Sequence, residues 1–196
     1  MRHDGSGAEA RFIQDAGLTT AVVVNSEYLY WTSGSDATIG RAKIDGSDVR
    51  PDFIRLPTLL ADGIAIDANH VYWGNHGDML VDEQPDIVSI GRANLDGTGV
   101  EADFIPLGSD NTYVYQTSWI VVADGHIYWT HSHHAGPNPA GGIGRANLDG
   151  TGVDQDFISA WYPINIAADS RHIYWTQPTA DDIAERAAIG RANLDG

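Results

Sequence analysis

Apolar and polar positions alternate with a period of two over short stretches bounded by turn residues, the signature of β-strands. Residues 63–105 serve as the pattern. Gly63-Ile64-Ala65-Ile66-Asp67 predicts a small, apolar first strand and His70-Val71-Tyr72-Trp73 a second. After a long loop, Ser89-Ile90-Gly91-Arg92-Ala93-Asn94-Leu95 predicts a third and Val100-Glu101-Ala102-Asp103-Phe104-Ile105 a fourth. Between the last two lies Asp96-Gly97-Thr98-Gly99. An Asp-Gly turn between alternating runs signals a hairpin, because glycine readily takes positive φ.

The same pattern occurs four times. Its plainest mark is Ile39-Gly40-Arg41-Ala42, repeated at Ile90, Ile143 and Ile189 with spacings of 51, 53 and 46 residues. A Tyr-Trp pair precedes each mark, at Tyr30-Trp31, Tyr72-Trp73, Tyr128-Trp129 and Tyr174-Trp175, and every Phe falls in one register: Phe12, Phe53, Phe104 and Phe157. Stranded repeats of this length indicate propeller blades or a solenoid, and four antiparallel strands per unit is the arithmetic of a β-propeller blade. The expected fold is therefore all-β, a single β-propeller domain over 1–196 with units of about 4–45, 46–96, 97–149 and 150–196. Small residues on the first strand suit the crowded position next to the axis. The chain opens on what reads as a lone fourth strand, 7–13, and the last unit stops after a third strand at Leu194. The first strand is thus expected to complete the last blade and cover its edge. The pattern leaves open whether four blades close a ring or form part of a larger one.

Composition narrows the function. The 196 residues carry 11 Lys+Arg against 27 Asp+Glu, a formal net charge of −16, which repels nucleic acid and anionic membrane surfaces. With 42% hydrophobic and 19% charged residues and 22 Gly, the chain is a folded domain rich in turns. There is no cysteine, which excludes disulfides, thiolate zinc sites, iron–sulfur clusters and cysteine nucleophiles. No run is long enough for an apolar membrane span, so no membrane insertion is expected, and the first residues lack the apolar stretch of a signal peptide.

Candidate chemistry lies in what does not repeat. The connections between second and third strands (33–37, 76–88, 131–141, 178–188) and between fourth and first strands (57–62, 106–118, 159–165) vary, and in a four-stranded meander both sets lie at one end of the blades. Binding usually resides in such loops on a rigid scaffold. Tyr113, Tyr115, Trp119, Trp161 and Tyr162 fall in or beside the second set, and Asp82, Glu83, Asp181 and Asp182 fall in the first. Aromatics within an acidic surround suit a cationic peptide or protein segment. The plainer alternative makes Trp119 and Trp161 plugs between inner strands and the acids a solvated rim. His70, His126 and His172 share one register and read as scaffold, whereas His131 and His133, alternate residues where a strand meets a loop, are placed to chelate one divalent metal. Asp67, Asp124 and Asp169, with Asn25 in the first unit, read as turn residues binding backbone N–H groups, the alternative being a carboxylate ring about the axis. Arg41, Arg92, Arg145 and Arg191 read as scaffold paired with Asp52, Asp103 and Asp156. No catalytic Ser/His/Asp order or phosphate-binding glycine loop is present, and no cofactor is implied.

The Tyr-Trp-Thr runs followed by Arg-Ala-Asn-Leu-Asp-Gly resemble the YWTD repeats of the low-density lipoprotein receptor class B family, over nearly the whole chain. The recurrent Ile-Gly-Arg-Ala-Asn-Leu-Asp-Gly wording is similar to that of bacterial members. The resemblance implies a six-bladed propeller that binds proteins outside the cell or at its surface and has no catalytic activity. Two features depart from the family pattern. The residue after Tyr-Trp-Thr/Gly is Ser33, Asn75, His131 or Gln177, never Asp, and four units stand where the family has six. The expected function is non-enzymatic protein or peptide binding through the loop-bearing face, with oligomerisation if the ring is incomplete. The alternatives are a lyase- or lactonase-type propeller enzyme with a metal near the axis, and a structural repeat within a longer protein.

Overall fold

The computed structural model describes residues 7–34, 36–56, 61–75, 88–108, 116–133, 140–179 and 182–196. It is all-β, a four-blade propeller of antiparallel sheets with no helix among the described residues. Blade 1 is β1 (Thr19–Val24), β2 (Tyr28–Ser33), β3 (Thr38–Lys43) and β4 (Arg50–Arg55). Blade 2 is β5 (Ala61–Ile66), β6 (His70–Asn75), β7 (Val88–Asn94) and β8 (Glu101–Gly108). Blade 3 is β9 (Gln116–Ala123), β10 (His126–His133), β11 (Ala140–Asn147) and β12 (Asp154–Ser159). Blade 4 has three described strands: β13 (Ile166–Ala168), β14 (His172–Thr179) and β15 (Asp182–Asn193). Strands pair in chain order within each blade, and the inner strands β1, β5, β9 and β13 follow one another about the axis.

The repeated residues explain the blade. On the second strand Tyr and Trp point to opposite faces. Each Trp lies across the glycine opposite it on the third strand: a Cβ on Gly91 would fall 2.2 Å from the Trp73 ring, and Gly40, Gly144 and Gly190 sit the same way under Trp31, Trp129 and Trp175. Only a bare backbone admits the indole. Beyond that glycine the register with the fourth strand slips, between Ile39 and Arg41, Ile90 and Arg92, and Ile143 and Arg145, a bulge that leaves fourth-strand carbonyls without a ladder partner. Side chains from the second strand supply the missing bonds. Asn75 Nδ2 donates to Ala102 O (2.8 Å), and His131 Nε2 lies 2.7 Å from Gln155 O, the equivalent carbonyl one blade on.

Joints between blades repeat as well. Tyr30 packs with Ile39 and Ile54 of blade 1 against Ile64 and Trp73 of blade 2, and Tyr72 and Tyr128 begin the corresponding clusters at the next two joints. Arg41, Arg92 and Arg145 each donate to the carbonyl of the next blade's leucine, at Leu95, Leu148 and Leu194 (3.2, 3.4 and 3.4 Å). Threonines near the inner ends do likewise: Thr32 Oγ1 donates to Asp62 O (2.9 Å) and Thr130 Oγ1 to Ile164 O (3.0 Å). A phenylalanine on each fourth strand rests on the next blade's Asp-Gly turn, where glycine takes the positive φ that the turn requires, 86° at Gly97.

Several expectations need correction. Residues 7–13 form no strand and do not pair with β15; Phe12 instead rests on Gly46 of blade 1, and Ala16 O accepts the Trp31 indole N–H (3.0 Å). Both ends of the expected loop 131–141 and most of 178–188 are strand, because β10 with β11 and β14 with β15 continue pairing as far as His133 with Ala140 and Thr179 with Asp182. The Asp-Gly turn begins one residue earlier than expected: Asn94 N donates to Thr98 O (2.9 Å), and Leu95 lies outside the strand assigned to it.

Candidate functional site

Because each blade is an up-and-down meander, the described strand ends from which its second-to-third and fourth-to-first connections leave lie at one end of the blade. Trp119, near the start of β9, is half-buried and packs against the core at the joint of blades 1 and 2, and its N–H donates to Thr130 Oγ1 (3.2 Å). Trp161 and Tyr162 follow β12 after Ala160. Their rings lie 5.5 Å apart at 55°, both residues are half-buried, and Tyr162 takes a left-handed backbone with φ 47°. The Trp161 indole N–H is shielded from solvent and has no hydrogen-bond acceptor among the described residues. Asp182 belongs to β15, in strand rather than loop. Tyr113, Tyr115, Asp82, Glu83 and Asp181 lie outside the described residues.

His131 shares the register of Ser33, Asn75 and Gln177, and structurally this is a scaffold position. Asn75 Oδ1 and Gln177 Oε1 accept the Trp73 and Trp175 indole N–H groups (2.9 and 2.7 Å), Ser33 Oγ donates to Asp36 (2.8 Å), and His131 is buried with Nε2 on Gln155 O. The side chain of His133 is outside the described residues. Among those residues, no three His, Asp or Glu side chains converge as a metal-holding group. His70 and His172 lie tilted against Tyr72 and Tyr174 (ring centroids 5.9 and 6.0 Å apart), with Nδ1 3.5 and 3.7 Å from the Asp67 and Asp169 carboxylates, in keeping with a scaffold role.

The first-strand carboxylates serve their turns. Asp67 Oδ1 accepts from Asn69 and His70 N–H (2.7 and 2.6 Å), Asp169 Oδ1 from Arg171 and His172 (2.7 and 2.8 Å), and Asn25 repeats the arrangement with Glu27 and Tyr28. Oδ2 of Asp67 and of Asp169 accepts the hydroxyl of Tyr72 and Tyr174 (2.9 Å each). The backbone donors of Arg171 and His172, with the Tyr174 hydroxyl, hold the Asp169 carboxyl down at about 2. At Asp67 burial pushes upward, but the Asn69 and His70 N–H groups outweigh it and the carboxyl is lowered. Burial, then the bond to Asp67, raises the Tyr72 phenol. Asp124 departs from the pattern because it and Gly125 form a tight turn with φ of 46° and 75°.

The arginines are not paired with the aspartates preceding Phe. Asp52 and Phe53 alternate across the strand, so the arginine meets the ring: the Arg41, Arg92 and Arg145 guanidinium carbons lie 3.9, 3.7 and 4.0 Å from the Phe53, Phe104 and Phe157 centroids. Their described acid partners are Asp48 (4.0 Å from Arg41) and Glu101 (2.9 Å from Arg92). Asp52 bonds Arg55 (2.7 Å), and Asp103 accepts from Ser89 (2.9 Å).

No protein-family profile and no curated protein matches the sequence. Among solved structures the chain is similar to a chain of a nidogen/laminin complex, at 20% identity and a TM-score of 0.55, over 82% of this chain and 72% of that one. A Bombyx mori GH32 β-fructofuranosidase bound to sucrose aligns at 13% identity and a TM-score of 0.44, over 90% of this chain and 46% of that one. At such identities what is shared is a fold, and the first of the two supports the assignment of this chain as a β-propeller.

Proposed function

We infer that the protein is a non-enzymatic binding propeller of the YWTD type, which takes a cationic protein or peptide segment on its loop-bearing face. The observation that supports this most is the Trp161–Tyr162 pair: two half-buried rings on that face, one on a left-handed backbone and the other with an indole N–H lacking an acceptor among the described residues. Backbone strain at an exposed loop is a pointer to function, and aromatic side chains anchor interfaces. Asp181 and Asp182 follow the hairpin strand of the neighbouring blade in sequence, and Asp82 and Glu83 lie in the corresponding connection of blade 2, so acids border the aromatic residues along the chain. The nidogen/laminin neighbour shows this architecture in a protein complex, which agrees with a protein partner.

The test is titration of the full chain with a short Lys/Arg-containing peptide and with an acidic peptide of equal length, in buffers of low and high salt. The basic peptide is expected to bind and the acidic one not, with affinity falling as salt screens the charges. Trp161→Ala should weaken binding by about tenfold or more while the folded state persists. Absence of binding to the basic peptide, or a large fall in Tm with binding unchanged, assigns Trp161 to structural plugging and overturns the reading.

A further inference from the structure

The three joints provide an internal standard for what a covered blade face looks like. Ile39, Ile90 and Ile143, one register on three third strands, are each 0% exposed, and each is covered by the following blade. Ile189 has the same register on β15, opposite Thr176, yet is 76% exposed. On the other side of the joint, Ile64 and Ile120, opposite Trp73 and Trp129, are 7% and 5% exposed, whereas Val22, opposite Trp31, is 65% exposed. Leu95, Leu148 and Leu194 pack on the preceding blade, while Ile44 in their register is exposed. Among the described residues blades 4 and 1 share no joint like the other three. Blade 4 therefore displays the donor half of a joint and blade 1 the acceptor half, both uncovered.

We propose that the chain assembles head to tail with a second copy of itself, the face of blade 4 bearing Ile189 and Arg191 docking on the face of blade 1 bearing Val22, Val24 and Ile44. Three features favour this occupant. The two faces are complementary by construction, since the molecule makes the same joint internally three times. The polar groups match too: Arg41, Arg92 and Arg145 reach the carbonyl before Asp96, Asp149 and Asp195, which leaves exposed Arg191 and the Ile44-Asp45 turn as the remaining pair. Finally, Phe12 already sits where a preceding blade's phenylalanine belongs. A Cβ on Gly46 would lie 3.1 Å from its ring, against 2.9, 3.0 and 3.2 Å for Phe53, Phe104 and Phe157 on their glycines. Residues 7–13 of one copy thus stand beside the position of a fourth strand for blade 4 of the other, along the edge of β15 that has no strand neighbour among the described residues. Two copies bring eight blades, within the range of known propellers. A heterologous contact of this kind closes into a ring or continues as a filament according to the rotation per blade.

Light scattering after size separation, over a range of protein concentrations, reads the outcome. The wild-type chain is expected at twice its monomer mass or more. Ile189→Asp and Val22→Asp each place a charge in one half of the joint at an exposed site, so both should keep the native circular dichroism and run as monomers. Mixed in equal amounts they should restore a species of twice the monomer mass, because Ile189→Asp retains an intact blade 1 face and Val22→Asp an intact blade 4 face. A wild-type chain that stays monomeric at about 100 µM, well above the ~1 µM scale of a modest interface, overturns the proposal. So does assembly that survives either substitution, or a mixture that remains monomeric.

Discussion

Individual residues in the repeat are dictated by what lies directly across from them. Gly91 is glycine because the Trp73 indole occupies the space of a Cβ, and neither side of that contact can give way inside a filled blade. Gly91→Ala should therefore lower unfolding stability by about 3 kcal/mol, the upper part of the range for overpacking a core. Gly125→Ala, where nothing lies within 4 Å but φ is 75°, should cost only about 1 kcal/mol from backbone strain. Urea denaturation of the two variants separates steric from conformational need. The Asp169 carboxyl has a different signature. Its value in the folded state is about 2 against 3.8 for the free group, so its contribution is fully present above about pH 4 and drains away as pH falls through about 2. Asp169→Asn keeps an oxygen for the Arg171 and His172 N–H groups, as Asn25 does in blade 1, but loses the carboxylate's contribution, and should lower Tm modestly at pH 7 while flattening its decline between pH 4 and pH 2.

At the level of the strand and the joint, threonine next to Tyr-Trp ties one blade to the next. Thr130 Oγ1 both accepts from Trp119 N–H and donates to Ile164 O, so one hydroxyl serves two strands of blade 3 and the entry to blade 4. Thr130→Val should cost about 1–3 kcal/mol by orphaning those groups and should speed amide exchange at Trp119. Period-two alternation and the recurring Tyr-Trp, Gly-Arg and Asp-Gly positions make most of the fifteen described strands legible in the chain itself, because each depends on neighbours within its own unit. What stays hidden is nonlocal. Residues 7–13 alternate like a fourth strand but do not pair with β15, and nothing in 178–188 announces that hairpin pairing extends there. His131 stands out beside His133, yet its partner is a carbonyl freed by a bulge two strands away, a feature that no local spacing encodes. On the candidate face, strand order alone puts Trp119, near the start of β9, and Trp161 and Tyr162, after β12, at one end of the blades, whereas Asp182 continues a strand instead of lying in a loop.

For the molecule as a whole, repetition makes stability nearly a sum over blades and joints. A substitution that empties an internal joint, such as Tyr72→Ala, touches packing on which blades 2 and 3 both depend, whereas the equivalent Tyr174→Ala touches one blade with an exposed face. Loss of a buried aromatic costs about 3–5 kcal/mol. The first variant should therefore fall well below the second in thermal melts of the chain at dilution. The recurring polar links also share a direction, with guanidinium and hydroxyl donors on the earlier blade and carbonyl acceptors on the later one. A joint of that kind can be severed and a whole repeat spliced in or removed without leaving an odd partner on either side. Gene duplication could thus lengthen or shorten such a chain one blade at a time while every surviving contact stays in kind, and the size of the array is set by rotation about the axis rather than by the chemistry of its seams.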